Sequence, residues 1–158
     1  MAREANFDLQ AVHHYFAAEC FNRAWDYIEK SERSPEEADK MVLLGSASLW
    51  HWQQREDCTP ANLSVGYWQM SRIYALRGEL QAARNYSQKC LDICLSENLP
   101  PFNLGYAYEA LARVSELANE QDHALQYLKL GEQAANQVTD EKDRQLLLND
   151  LRSIGGEE

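Results

Sequence analysis

The sequence predicts an all-α protein, and two observations support this fold class. The four prolines, at positions 35, 60, 100 and 101, occur only where a helical pattern begins or ends, as expected because proline is tolerated in the first turn of a helix but not in its interior. The stretches between them are rich in Ala, Leu, Glu, Gln and Arg, and none alternates polar and apolar residues as a strand would. We therefore expect only helices and turns.

The first two helices are delimited by apolar spacing and by a capping sequence. Apolar residues recur every three or four positions from Val12 to Ile28, which predicts an amphipathic helix over about residues 7–32. Ser34-Pro35-Glu36-Glu37 combines an N-cap serine, a first-turn proline and a glutamate three residues after the serine. A second helix is expected from there to about Arg55.

Five further helices are delimited by the same kinds of start signal, since proline begins the third and the fifth and Thr139 precedes the last. Their expected ranges are 60–78, 79–96, 101–118, 121–138 and 140–153. We expect the seven helices to form one domain over residues 1–158, made of an N-terminal helix pair (7–57), two hairpins (59–138) and a capping helix (140–153).

The two middle hairpins repeat each other. A shift of 41 residues aligns 60–91 with 101–132 without a gap, and nine of the 32 positions are then identical. The identical pairs include Tyr67 with Tyr108 and Arg72 with Arg113. Because a hairpin of this kind can bury its apolar side only by stacking on the next one, the repeat predicts a helical stack.

Within the first copy, the stretch YWQMSRIYALRGELQAARNYSQKCL resembles the tetratricopeptide repeat. The resemblance rests on the residues at that family's aromatic, aliphatic, turn and small positions, which are Tyr67, Met70, Tyr74, Gly78, Ala83 and Cys90. The second copy departs from the pattern, with Asn119 in place of the glycine and Ser115 in place of an aromatic residue, and the period exceeds the family's usual ~34 residues. The whole chain is similar to bacterial tetratricopeptide-like proteins through LWHW, CTPANLSVGYWQMSRIYAL and LGYAYEALAR. The resemblance implies a right-handed superhelix of antiparallel hairpins.

The resemblance also implies a concave groove lined by the first helix of each hairpin. Helices three and five should then lie side by side, with the two arginines about 10 Å apart. The expected rows are Arg72 with Arg113, Trp68 with Glu109, and Val65 with Tyr106. By resemblance to the carboxylate-binding grooves of that family, we expect a noncatalytic protein–protein interaction module, whose partner-binding residues are Trp68, Arg72, Tyr106, Glu109 and Arg113.

The arginines favour a protein or peptide partner with an acidic or carboxylate group, because a guanidinium can bind a carboxylate through two parallel hydrogen bonds. An ion pair within the helix is the alternative for Arg113, since Glu109 and Glu116 lie one turn before and after it. Core packing is the alternative for Trp68.

A second candidate site lies in the stretch SLWHWQQREDC. Trp50 and Trp52 are separated by about 200° of helical rotation, so one of them should reach the surface. The alternative function is a small-molecule- or metal-binding protein, or an enzyme, with a pocket between the first three helices. That pocket would be lined by His13 or His14, Trp50, His51 and Trp68. Solvent-facing or hydrogen-bonded histidines are the simpler interpretation, and a homodimer that covers aromatic surface is a further alternative.

Charge and missing motifs restrict the remaining functions. With a net charge of −10, the chain should repel nucleic acid and anionic membranes. It has no signal-peptide pattern and no apolar run of the roughly 20 residues that span a bilayer, so we expect a cytoplasmic protein with four free thiols. Glycine-rich phosphate loops, GxSxG and HExxH are absent from the sequence, so we expect no catalytic residue, metal or cofactor.

Overall fold

The computed structural model describes residues 6–156, which form seven α-helices joined by short turns and contain no strand. The helices are α1 (Leu9–Ile28), α2 (Pro35–Gln54), α3 (Pro60–Leu76), α4 (Leu80–Ser96), α5 (Pro101–Leu117), α6 (Gln121–Ala135) and α7 (Glu141–Arg152). The all-α prediction is confirmed. In the described part of the chain, every helix is too short or too polar to cross a membrane.

Capping residues begin the helices where the sequence predicts. Ser34 Oγ accepts a hydrogen bond from the Glu37 amide, and the Glu37 carboxylate accepts one from the Ser34 amide. The turn between α3 and α4 contains Gly78 at φ 72°, and the turn between α5 and α6 contains Asn119 at φ 59°. Both residues tolerate this left-handed conformation, which explains why the second hairpin turns without a glycine.

Two helices end earlier than the sequence predicts. The first stops at Ile28 instead of near residue 32, and α6 stops at Ala135 instead of near residue 138. After α1, the Arg33 side chain donates hydrogen bonds to the carbonyl oxygens of Tyr27 and Lys30. These bonds satisfy carbonyl oxygens near the end of α1, so the helix can end at Ile28 without leaving them unpaired.

Consecutive helices pair as antiparallel hairpins. In the α3–α4 hairpin, the Cys90 thiol donates to the Ser64 carbonyl at 3.3 Å, and the Ser71 hydroxyl donates to the Ala83 carbonyl at 3.0 Å. The first contact lies at one end of the pair and the second at the other, so the chain directions are opposed. The α1–α2 and α5–α6 pairs are also antiparallel, because contacts early in the first helix of each pair reach residues late in the second.

The odd-numbered helices form an inner layer of parallel neighbours. Trp68 lies beside Trp25 of α1 and Glu109 of α5, and Tyr106 lies beside Asp150 of α7. The sequence offsets of these contacts resemble the predicted repeat of 41 residues. Because α1, α3, α5 and α7 contact their neighbours in this layer while α2, α4 and α6 do not contact one another, the inner layer is the concave side of the stack.

Buried apolar residues hold the layers together at each hairpin interface. Met41 of α2 packs with Met70 and Ile73 of α3. At the other end, Leu147 and Leu151 of α7 are buried against α5 and α6. All four cysteines are free.

Candidate functional site

The inner layer encloses an open groove, which we call the concave groove. Its larger part is a cavity of about 450 Å³ bounded by α1, α3, α5 and α7. The cavity walls are mainly apolar, with five aromatic and two acidic side chains among them, and include Phe21, Trp25, Glu29, Val65, Trp68, Phe102, Tyr106 and Asp150. A smaller cavity of about 270 Å³ lies beside it between α1, α2 and α3, where Trp52 of α2 is part of its lining, and the two cavities share Phe21 and Val65 as walls.

Aromatic rings from three inner helices form a continuous row along the groove. The ring centroids of Trp25 and Trp68 are 5.5 Å apart, and those of Trp68 and Tyr106 are 5.2 Å apart. Phe21 and Phe102 extend the row, at 6.3 Å from Trp25 and 5.0 Å from Tyr106. Most neighbouring pairs meet edge to face, an arrangement that is favourable for aromatic rings.

Glu109 fixes the orientation of the Trp68 side chain by accepting a hydrogen bond from its indole N–H. It is only 1% exposed, and its carboxylate accepts hydrogen bonds from Trp68 Nε1 at 2.8 Å and from Arg113 Nε at 2.8 Å, as well as from Arg113 Nη2. The Arg113 charge balances the buried carboxylate, which would otherwise be costly. Glu109 and Arg113 are thus engaged with each other, as the ion-pair alternative predicts, and Glu109 is a support for the groove more than a part of its surface.

Arg72 lies one helical turn beyond Trp68 on α3 and, unlike Arg113, is not held by Glu109. Within residues 6–156 it makes no side-chain hydrogen bond and no ion pair. Burial lowers the pKa of its guanidinium, and so does the nearby charge of Arg113. A half-buried arginine without a partner is well suited to receive a carboxylate from another molecule.

Two acidic side chains complete the lining. Asp150 Oδ2 accepts a hydrogen bond from the Tyr106 hydroxyl at 2.6 Å, and burial together with this carboxylate raises the pKa of Tyr106. Glu29 stands at the C-terminal end of α1 and is exposed. Neither carboxylate forms an ion pair with any residue in the described range 6–156.

The structure brings together the five residues predicted to bind a partner, but in different roles. Trp68 and Tyr106 line the groove, Arg72 lies beside it, and Glu109 and Arg113 pair beneath it. Sequence reasoning missed the groove residues of α1 and α7, which are Phe21, Trp25, Glu29, Leu146 and Asp150. The aromatic residue Trp25 precedes Trp68 by nearly one repeat period, and this spacing is the signal that could have identified α1 as an inner helix.

The structure brings together three residues of the second candidate site, His13, Trp50 and His51, and places His14 and Trp68 elsewhere. His13 Nδ1 and His51 Nδ1 are hydrogen-bonded at 2.8 Å, and Trp50 packs edge to face against both rings. His14 instead lies 3.4 Å from Asp57, because adjacent residues of a helix point about 100° apart. Trp68 belongs to the concave groove, whose two cavities include no histidine.

The histidine pair is a contact between α1 and α2 at the protein surface. Trp50 is 52% exposed, while Trp52 is half-buried with the Arg55 guanidinium 3.9 Å from its ring centroid, so the prediction that one tryptophan reaches the surface is confirmed. Burial lowers the pKa of His51, and the proximity of His13 lowers it further. In the part of the chain that the structure describes, no three His, Cys, Asp or Glu side chains are grouped to hold a metal ion.

Comparisons with protein-family models, with curated proteins and with solved structures give no match to this chain. What the groove binds must therefore be inferred from its side chains.

Proposed function

We propose that this protein is a noncatalytic tetratricopeptide-like interaction module that binds an extended segment of a partner protein in the concave groove. The observation that carries this proposal is the pair of neighbouring cavities that share Phe21 and Val65 and together make an elongated trough, with an aromatic floor contributed by α1, α3 and α5. Sites for compact ligands are usually single enclosed pockets. An elongated trough fits an extended chain better.

The residue types in the trough also favour a protein partner. Tryptophan, tyrosine and arginine are the residues that most often dominate the binding energy of protein interfaces, and they act best where water is excluded around them. Trp25, Trp68 and Tyr106 are all half-buried before any partner binds, and Trp68 is held by Glu109. Such preformed side chains lose little conformational freedom on binding.

Arg72 supports a partner that carries a carboxylate at one end of the bound segment. Its guanidinium has no partner in residues 6–156 and lies one turn from Trp68. A carboxylate placed there would gain charge-assisted hydrogen bonds and would relieve the repulsion between Arg72 and Arg113. The acidic partner group expected from the sequence is therefore retained in the proposal, with Arg72 as its receptor.

The proposal can be tested by selecting binders from a phage-displayed library of random peptides with the whole chain as bait. Val65 lines both cavities and is 41% exposed, so Val65→Gln should obstruct the trough without removing a core contact. Selected peptides should lose about tenfold in affinity for this variant. Leu125→Gln is the matched control, because Leu125 is an exposed residue of α6, outside the inner layer.

Urea unfolding should first establish that both variants are folded. Peptides that bind wild type, Val65→Gln and Leu125→Gln equally would show that the groove is not the binding site. A failure to enrich any peptide over repeated selections would also count against the proposal. Among peptides with an acidic residue or a free carboxylate near the bound core, Arg72→Met should weaken binding selectively.

A further inference from the structure

The concave groove combines aromatic rings with two carboxylates, Glu29 and Asp150, that form no ion pair with any residue between 6 and 156. We propose that it recognises a lysine or arginine side chain of the bound segment, placed against Trp25, Trp68 and Tyr106 and next to the carboxylates of Glu29 and Asp150. This inference rests on the proposed function, because it specifies the chemistry of the segment that the groove would hold. It adds a basic side chain to the acidic group that is expected at Arg72.

The aromatic row offers a surface to which a cation can bind. Trp25 and Trp68 are inclined by 32° with ring centroids 5.5 Å apart, and both rings border the open cavity. The electron-rich face of an indole attracts an ammonium or guanidinium group, most strongly where water is partly excluded. The apolar stem of a lysine or arginine would meanwhile cover the neighbouring side chains of Val65 and Phe102.

The charges around the cavity favour a cation as well. No lysine or arginine is among the residues that line either cavity, whereas Glu29 and Asp150 line the larger one. Some carboxylates elsewhere in the described residues are paired, for example Asp57 with Arg55 and Glu120 with Arg84. The only side-chain hydrogen bond of Asp150 within residues 6–156 is the one from Tyr106 to Oδ2, so Oδ1 remains free to accept from a ligand.

Arg72 defines where the cation would not bind, since this guanidinium is close enough to Asp150 for the carboxylate charge to oppose the lowering of its pKa by burial. Arg72 lies beyond the cavity lining, one helical turn past Trp68, and one turn is about 5.4 Å along the axis. An extended chain covers that distance in about two residues. The groove thus favours a segment in which a basic residue and an acidic group are separated by about one or two positions.

A small probe tests the charge preference independently of any peptide selection. N-acetyl-lysine methylamide and its uncharged analogue N-acetyl-norleucine methylamide have nearly the same apolar stem, and their binding can be followed by tryptophan fluorescence and by two-dimensional NMR of the whole chain. We expect the lysine probe to bind about tenfold more tightly than the norleucine probe. Raising the salt concentration should reduce this preference.

Matched variants locate the effect. Glu29→Gln with Asp150→Asn keeps the size of both side chains and the acceptor for Tyr106 but removes both charges, and should bring the two probes to nearly equal affinity. Val65→Lys should weaken binding of the lysine probe much more than Val65→Glu does, because the two side chains obstruct the cavity to a similar extent but carry opposite charges. Glu132→Gln, an exposed position of α6, is the control and should change nothing.

The outcomes separate the two proposals. Equal binding of the two probes by wild type, or a lysine preference that persists in the double variant, overturns the recognition of a basic side chain. If library peptides bind through the groove without any enrichment of lysine or arginine, this inference fails while the proposed function stands. If the lysine probe binds as expected but no peptide does, the groove takes a small organic cation and the proposed function fails.

Discussion

Replacing Glu109 by Ala should reduce the free energy of unfolding by about 3 kcal/mol. Two groups lose their acceptor in this variant, the Trp68 indole N–H and the Arg113 guanidinium. Breaking a buried ion pair costs roughly 3–5 kcal/mol, and an unsatisfied buried donor adds about 1–3 kcal/mol. The Arg113 side chain is 17% exposed, so it can recover part of its hydration, and the expected loss lies near the lower limit.

The measurement is urea unfolding followed by far-UV circular dichroism, with the midpoint shifted and the slope unchanged. A double variant makes the test specific. Glu109→Leu together with Arg113→Met replaces both charges by apolar side chains, which often costs little because no charge is left buried. The double variant should therefore lose clearly less free energy of unfolding than the single variants Glu109→Leu and Arg113→Met lose in sum.

Glu116→Ala is the control for the Glu109 variants. This glutamate lies on the same helix and is half-buried, but its side chain makes no hydrogen bond or ion pair in residues 6–156. Its replacement should change stability by no more than about 0.5 kcal/mol. If Glu109→Ala is equally harmless, or if the two single losses simply add, the buried pair is not what holds Trp68 in place.

Two other predictions concern the histidine pair and the packing of α7. Because the pKa of His51 is lowered by burial and by His13, the unfolded chain binds more protons below its ordinary pKa of about 6.5. The free energy of unfolding should therefore fall as the pH decreases through that value, and His51→Gln should flatten this fall in urea titrations at several pH values. Leu147→Ala should cost about 2–5 kcal/mol by the same assay, since Leu147 is fully buried. Leu146→Ala, an exposed neighbour, should cost much less, and equal losses would contradict the packing of α7.

The sequence was sufficient to predict the helices and the neighbours in the middle of the stack. Prolines and capping residues act locally, so they fix where helices begin without any knowledge of the fold. The repeat added a long-range relation, because helices with matching apolar faces stack in matching positions. The hydrogen bond between Trp68 and Glu109 joins residues separated by 41 positions, which is the repeat offset itself.

The composition of the groove could not be read from the sequence in the same way. The first helix pair shares little sequence with the repeat, so nothing local identified Trp25 as the neighbour of Trp68. The contribution of Asp150 depends on how α7 packs across α5, which is decided by the fit of Leu147 against Gly105. The pairing of Arg113 was one of two open alternatives, since spacing alone does not tell whether a carboxylate one turn away is buried.

The parallel alignment of the inner helices limits how this chain can change in length. Inserting one residue within α3 would rotate every later side chain of that helix by about 100°, and this would carry Trp68 away from both Trp25 and Tyr106. Inserting a complete hairpin would instead supply another helix in the same alignment and extend the row of rings. Duplication of whole repeat units, and not the gain of single residues, is therefore the route by which evolution or design can lengthen this surface.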